Sequence, residues 1–283
     1  MNTYPYAKTQ TKTTPFPAAT RSPRIAKRAS VWRSDLLQRF DAIHLSEMDH
    51  VKLLRRTDTK YLMSEEQLSR ALAHLADYYR VLEVGGRRLQ HYQTLYFDTQ
   101  DLSLYQQHHS DRRNRYKVRE RAYVDSDLAF LEIKHKVNAN TTVKSRMQTR
   151  ELRPQIARDA EPFLHAHYPY QVEALEPKLL NTFERITLVS KHSVERITID
   201  VGLRFLWNGA DVSLAGIAIA EVKQDGFSND SAFVQQMRAL GVRPTGFSKY
   251  CIGVSMLYPE VKHNRFKPQL NHIDRLLQEG RTI

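Results

Sequence analysis

A chain of 283 residues, 41% of them hydrophobic and 26% charged, holds enough apolar material for a packed core. Lys and Arg outnumber Asp and Glu by 43 to 31, a formal charge of +12, which points to an anionic partner: nucleic acid, a phosphate chain or a membrane surface. The single cysteine, Cys251, excludes an intrachain disulfide and a multi-cysteine metal site, and with no long apolar run and no apolar leader, neither a transmembrane helix nor a secretory signal is expected.

Residues 1–30 carry Lys8, Lys12, Arg21, Arg24, Lys27 and Arg28 with no acid, the composition of a disordered basic tail. A helix is expected over Ser34–Ile43. A second begins at Ser64, where Ser64 and Gln67 have capping-box spacing and Leu68, Leu72 and Leu75 share a face. The pattern then changes to period two. Strands are expected over Arg88–Phe97, Asn114–Val124, Leu128–Val137, Val143–Leu152, Leu180–Ser190, Ser193–Val201 and Ile217–Lys223, with turn residues such as Asp125–Asp127 and Asn138–Asn140 between them. Asp98 or Thr99 is placed to cap a helix around Asp101–Gln107. A helix over Asp230–Leu240 ends at Gly241, with Pro244 beyond, and residues 264–283 read as an amphipathic helix and tail. The fold class is α+β, dominated by antiparallel strands.

Alternate residues of a strand share a face. One face of Asn114–Val124 carries Arg115, Lys117, Arg119, Arg121 and Tyr123; the next strand puts Phe130, Glu132, Lys134 and Lys136 together, and the third Lys144, Arg146 and Gln148. Arg185 lies on a charged face further on, as do Arg196, Thr198 and Asp200, then Glu221 and Lys223. A solvated outer face accounts for any one of these strands. Like charges on neighbouring strands repel, however, and a bound polyanion relieves them. The interleaved carboxylates offer a divalent metal hard oxygen ligands beside phosphate. Closure of such a sheet into a barrel turns the charges inward to line a hydrated cationic bore.

The run Lys60-Tyr61, Tyr96 to Thr99, Arg119 to Tyr123, Glu132 to Lys134, Lys144 to Arg146, Phe183 to Arg185, Arg196 to Asp200, Glu221 to Lys223 and Phe247 to Tyr250 resembles the polyphosphate polymerase domain of the vacuolar transporter chaperone (VTC) family, within the triphosphate tunnel metalloenzyme superfamily. The resemblance spans about residues 40 to 260. It implies an eight-stranded antiparallel β-barrel, the triphosphate tunnel, with packed helices over 31–260, after a basic tail at 1–30 and before a C-terminal helix and tail at 261–283. It further implies that the γ-phosphate of ATP, or of another nucleoside triphosphate, passes to inorganic polyphosphate. By motif position Lys60, Arg119, Arg121, Lys134, Lys144, Arg185, Arg196, Lys223 and Lys249 contact phosphate, with Arg119, Arg121, Lys134 and Arg196 central to catalysis. Glu221 ligates Mn2+ or Mg2+, and Glu132 and Asp200 orient the cations. Two departures stand out. Arg56, Asp58 and Lys60 occupy the positions of the Glu-x-Glu-x-Lys strand of the hydrolase branches, and Phe183 replaces a tyrosine.

Rival readings are an inorganic triphosphatase and a polyphosphate-binding module without catalysis. A nucleic-acid partner is not expected, because few exposed aromatic residues interleave with the basic ones. His108, His109, His165 and His167 lack ligand partners at metal-binding spacing and read as surface or core histidines, and Cys251 as a buried thiol. The layout suggests a cytoplasmic protein, with room for a membrane-protein partner.

Overall fold

The computed structural model describes residues 33–51, 57–138, 141–226 and 228–280; the basic tail at 1–30 and Arg56 lie outside them. The described residues form ten strands and seven helices. The strands are β1 (Asp41–Ile43), β2 (Thr57–Ser64), β3 (Tyr79–Leu82), β4 (Gln90–Asp98), β5 (Arg115–Tyr123), β6 (Leu128–Lys136), β7 (Thr142–Thr149), β8 (Glu176–Ser190), β9 (Glu195–Trp207) and β10 (Ala210–Gln224). The helices are α1 (33–38), α2 (Glu65–Leu72), α3 (Ser103–His109), α4 (Glu161–His167), α5 (Ala232–Ala239), α6 (Lys249–Leu257) and α7 (Lys267–Glu279). No described helix is long and apolar enough to cross a membrane.

Eight strands run β2-β10-β9-β8-β4-β5-β6-β7, each antiparallel to its neighbours; β3 also pairs with β8, and β1 joins β3 in parallel. The sheet curls until its ends face each other, so that Lys134 on β6 feels the charges of Lys60 on β2 and Glu221 on β10. It does not close: among the described residues β2 and β7 are not hydrogen-bonded to each other. The outer edge of β2 is taken instead by the segment after α5, where Tyr61 bridges Pro244 and the Thr245 amide donates to the Lys60 carbonyl at 2.8 Å. The expected barrel is thus a curled sheet with a seam.

The convex side of this sheet is apolar. Ile186, Leu188, Ile197, Ile199, Ala220 and Val222 pack with Leu37 of α1, Leu68 of α2 and Phe233 of α5. Beneath the other half, Leu95, Val118, Leu131 and Ile133 pack with Leu164 of α4. Each such large side chain contributes roughly 1.5–3 kcal/mol by leaving water. The expected capping box is present: the Ser64 hydroxyl accepts from the Gln67 amide at 3.1 Å, and the Gln67 side chain accepts from the Ser64 amide at 3.0 Å. The Asp98 carboxylate accepts from the amides of Leu104 and Tyr105, both at 2.8 Å, and Thr99 accepts from Ser103, which starts α3 where expected.

Two local expectations are corrected. The helix expected over Ser34–Ile43 stops at residue 38, because Asp41–Ile43 pairs with β3 and buries Ile43 completely. β9 does not end at Val201. An extra residue at Gly202, which holds φ +61°, shifts the register against β8 and flips the faces, so Leu203 and Phe205 now share the concave side with Phe183. β10 has a similar irregularity between Leu214 and Ala218. Helix α6, unmarked by periodicity because nearly all of it is buried, closes the floor of the concave side. It lies so close that a Cβ on Gly253 would come within 2.7 Å of Leu179 and 2.8 Å of Phe205.

Candidate functional site

Strand alternation and register fix what the concave side presents. Rows of directly opposed residues read Lys117–Lys134–Lys144, then Arg119–Glu132–Arg146, then Arg121–Phe130–Gln148 across β5, β6 and β7. From the other end of the curled sheet come Lys60 opposite Glu221, and Asp58 opposite Lys223, which is itself opposite Arg196. Arg185 opposes Asp200 between β8 and β9. Lys249 enters from the first turn of α6, whose cap residue Ser248 accepts a hydrogen bond from Lys117 at 2.9 Å.

All the cations singled out from sequence therefore belong to strands or a helix that present them to one concavity. The strand-borne ones do so by alternation, and Lys249 only because α6 plugs the floor. The carboxylates among them are each engaged. Arg185 grips Asp200 in a bidentate pair at 2.6 and 2.8 Å, and Lys249 bonds the same carboxylate. Arg119 donates to Glu132 at 2.6 Å. Glu221 bridges Lys60, at 2.7 Å, and Lys223. Burial pushes Asp200, Glu132 and Glu221 up, but these cations outweigh it and hold all three carboxylates below their ordinary range.

The cations still exceed these acids, and burial lowers several of them. Burial, followed by the charge of Arg119, lowers Arg121, whose Nε donates to the Thr94 hydroxyl at 3.2 Å. Lys117, Lys223 and Lys249 are lowered first by burial. Lys134 is pushed down to about 7 by partial removal from bulk water and by the charges of Lys117, Lys144 and Lys60, against which Glu221 acts only weakly. Around Lys134, where three neighbouring lysines add to the effect of burial, the concave surface is short of negative charge.

Other residues join the site without having been singled out from sequence. Lys117 and Arg146 obey the same alternation as their neighbours and were legible from it. Tyr92 was not, because aromatic residues in strands mostly pack. Its ring stacks on Phe183 with centroids 5.1 Å apart, and the Arg185 guanidinium sits 4.9 Å from its centre. The histidines lie elsewhere: His108 bonds the Tyr116 carbonyl at 3.2 Å, and His165 and His167 belong to α4 on the convex side. Cys251 is buried, as expected.

The donor set bears on a metal. Glu221 offers two carboxylate oxygens, both now held by ammonium groups, and no cluster of three His, Cys, Asp or Glu side chains occurs among the described residues. Such a set does not cage a cation by itself. It suits one whose remaining ligands are phosphate oxygens.

An antiparallel sheet curled about a bore of lysines and arginines, floored by helices and carrying a few neutralised carboxylates, defines a triphosphate-tunnel protein. The chain matches the VTC domain over residues 55–258, and it belongs to that family. No curated protein matches it. Similar solved structures include a candidate adenylate cyclase of Bacillus halodurans, with TM-score 0.43 and 13% identity over 71% of this chain and 96% of that one. The PH1819 protein from Pyrococcus horikoshii OT3 has TM-score 0.39 and 13% identity, covering 69% of this chain and 96% of its own. A Hippeastrum candidate adenylyl cyclase, described as having a dominant triphosphatase activity, has TM-score 0.41 and 12% identity, covering 73% of this chain and 100% of its own.

Proposed function

We propose that the protein is a polyphosphate polymerase, which moves the γ-phosphoryl group of ATP onto the end of a polyphosphate chain held in the bore. The observation that carries this reading is the row Lys117–Lys134–Lys144, three ammonium groups on adjacent strands, with Lys134 pushed down to about 7. Directly opposed like charges cost stability, and a chain of phosphates offsets that cost along its whole length.

In this reading Arg119, Arg121, Arg185 and Arg196 grip phosphate oxygens through paired N–H donors, while Lys60, Lys134, Lys144, Lys223 and Lys249 act as point charges. Asp200 and Glu132 keep Arg185, Lys249 and Arg119 aimed before substrate arrives. A terminal oxygen of the chain forms a bond to the γ-phosphorus, and the bond from that phosphorus to the β–γ bridging oxygen breaks. ADP departs with the electron pair. The acceptor is already an ionised phosphate and needs no proton removed, so the protein's task is positioning and charge stabilisation. Mn2+ or Mg2+ held by Glu221 and phosphate oxygens would supply further neutralisation of the phosphate charge.

Incubation of the purified protein with ATP and Mn2+, followed by a gel that resolves polyphosphate, tests the reading: a ladder of polymer supports it, and free phosphate alone replaces it with triphosphatase activity. Glu221→Gln is expected to shift the metal titration to higher concentration while tripolyphosphate still binds; an unchanged titration removes Glu221 from the metal's ligands. A second reading, binding without turnover, is favoured by Phe183, which is buried against Tyr92 and carries no hydroxyl to offer a phosphate. It predicts tight polyphosphate binding and no ladder.

A further inference from the structure

The concave side changes chemistry along its length. On β5 alone, residues of one face run Lys117, Arg119, Arg121, Tyr123. Their β6 partners run Lys134, Glu132, Phe130, Leu128. Along these two strands lysines lie at one end, arginines in the middle, and rings at the other. Tyr92, opposite both Tyr123 and Phe183, joins the rings into one group. Tyr92 and Tyr123 have centroids 5.0 Å apart, Tyr123 meets Phe130 edge-on at 5.9 Å, and Tyr92 stacks on Phe183. Phe183 is buried, but Tyr123 and Phe130 remain partly open, and Leu128 beside them is 40% exposed. Arg146 lies over the Phe130 ring at 4.9 Å.

Partly exposed rings cost hydration and add nothing to the grip on a bare phosphate chain. They suit a ligand that is anionic at one end and flat and aromatic at the other. Two strand residues rise about 6.8 Å, so Tyr123 lies about 7 Å beyond Arg121 and about 14 Å beyond Arg119, a span that an extended nucleoside triphosphate can cover. Rings beside arginines are also the general platform on which bases stack without regard to sequence. We infer that Tyr123 and Phe130 form the nucleobase subsite, so that the nucleotide enters base-last from the aromatic end and its γ-phosphate points toward the lysine row. The bore then has a direction: nucleotide at the aromatic end, polyphosphate acceptor at the lysine end. This rests on the polymerase reading only in taking a nucleoside triphosphate as the donor.

Calorimetric titration of the full chain with ATP and, separately, with inorganic tripolyphosphate tests it. Tyr123→Ala and Phe130→Ala are each expected to weaken ATP about tenfold, equivalent to about 1.4 kcal/mol, and tripolyphosphate less than twofold. Tyr123→Phe, which keeps the ring, is expected to bind ATP as the unaltered protein does. Parallel weakening of both ligands, or undiminished ATP binding in both alanine variants, overturns the nucleobase subsite while leaving the phosphate site standing. An unaltered protein that binds neither ligand overturns both this subsite and the polymerase reading.

Discussion

Two neighbouring rows of the same three strands show two ways of lining an anion site. In Arg119–Glu132–Arg146 a carboxylate stands between guanidinium groups, and the balance of burial against Glu132 leaves Arg119 raised. In Lys117–Lys134–Lys144, one step along the strands, the middle position is a third cation, and Lys134 sits at about 7. The first row is organised before any ligand arrives. The second is not at rest without one. Arginine suits the first because its charge does not leave and its fork is rigid; lysine suits the second because its charge responds to its surroundings.

The largest effect that would sharpen this contrast comes from the arginine side. Arg121→Ala is expected to lower polymer synthesis at least about 100-fold, the scale seen when one preorganised charge-stabilising donor is removed, while the circular dichroism spectrum stays unchanged. Retained activity would mean that the arginine rows are scaffolding and the lysines do the work. Asp200→Asn attacks preorganisation itself. Asp200 is 3% exposed and holds two cations, so its loss is expected to cost about 3 kcal/mol of stability. Tripolyphosphate should restore part of the lost melting temperature, because its oxygens replace the missing carboxylate; no restoration would place Arg185 and Lys249 outside the anion's reach.

The smallest effect belongs to the lysine row and is read by pH. Lys134 is lowered from the ordinary 10.5 to about 7, so between those values the unfolded chain binds more protons than the folded one. Through this group the ligand-free protein gains stability as pH rises from about 7 toward 10.5. Anion binding favours the charged ammonium, so tripolyphosphate should take up protons near pH 7 and bind less tightly as pH rises to 9. Lys134→Met is expected to abolish that proton uptake, measured by calorimetry in buffers of different ionisation enthalpy. It should also stabilise the ligand-free protein by up to about 1 kcal/mol, because one member of a repelling row is gone. A variant with unchanged proton uptake would move the titrating group elsewhere in the bore.

The sequence by itself determined the charged faces. Alternation in β5, β6 and β7 assigns Lys117, Arg119, Arg121, Glu132, Lys134, Lys144 and Arg146 to one side, because side chains in a strand have a strict period of two. It also determined the Ser64 cap and the start of α3, which rest on contacts within a few residues. Only the tertiary structure decided where those faces point and how they are completed. Gly202 breaks the period of two, so nothing local says that Leu203 and Phe205 turn to the concave floor. Helix α6 is buried nearly all round and shows no amphipathic stripe, so the arrival of Lys249 beside Asp200 depends on a contact 49 residues apart. The seam between β2 and β7, the partnering of Lys60 and Lys223 with Glu221, and the joining of Tyr92 and Phe183 to Tyr123 likewise come from strands distant in the chain. Periodicity is a property of one strand, whereas a bore is a property of how eight of them curl.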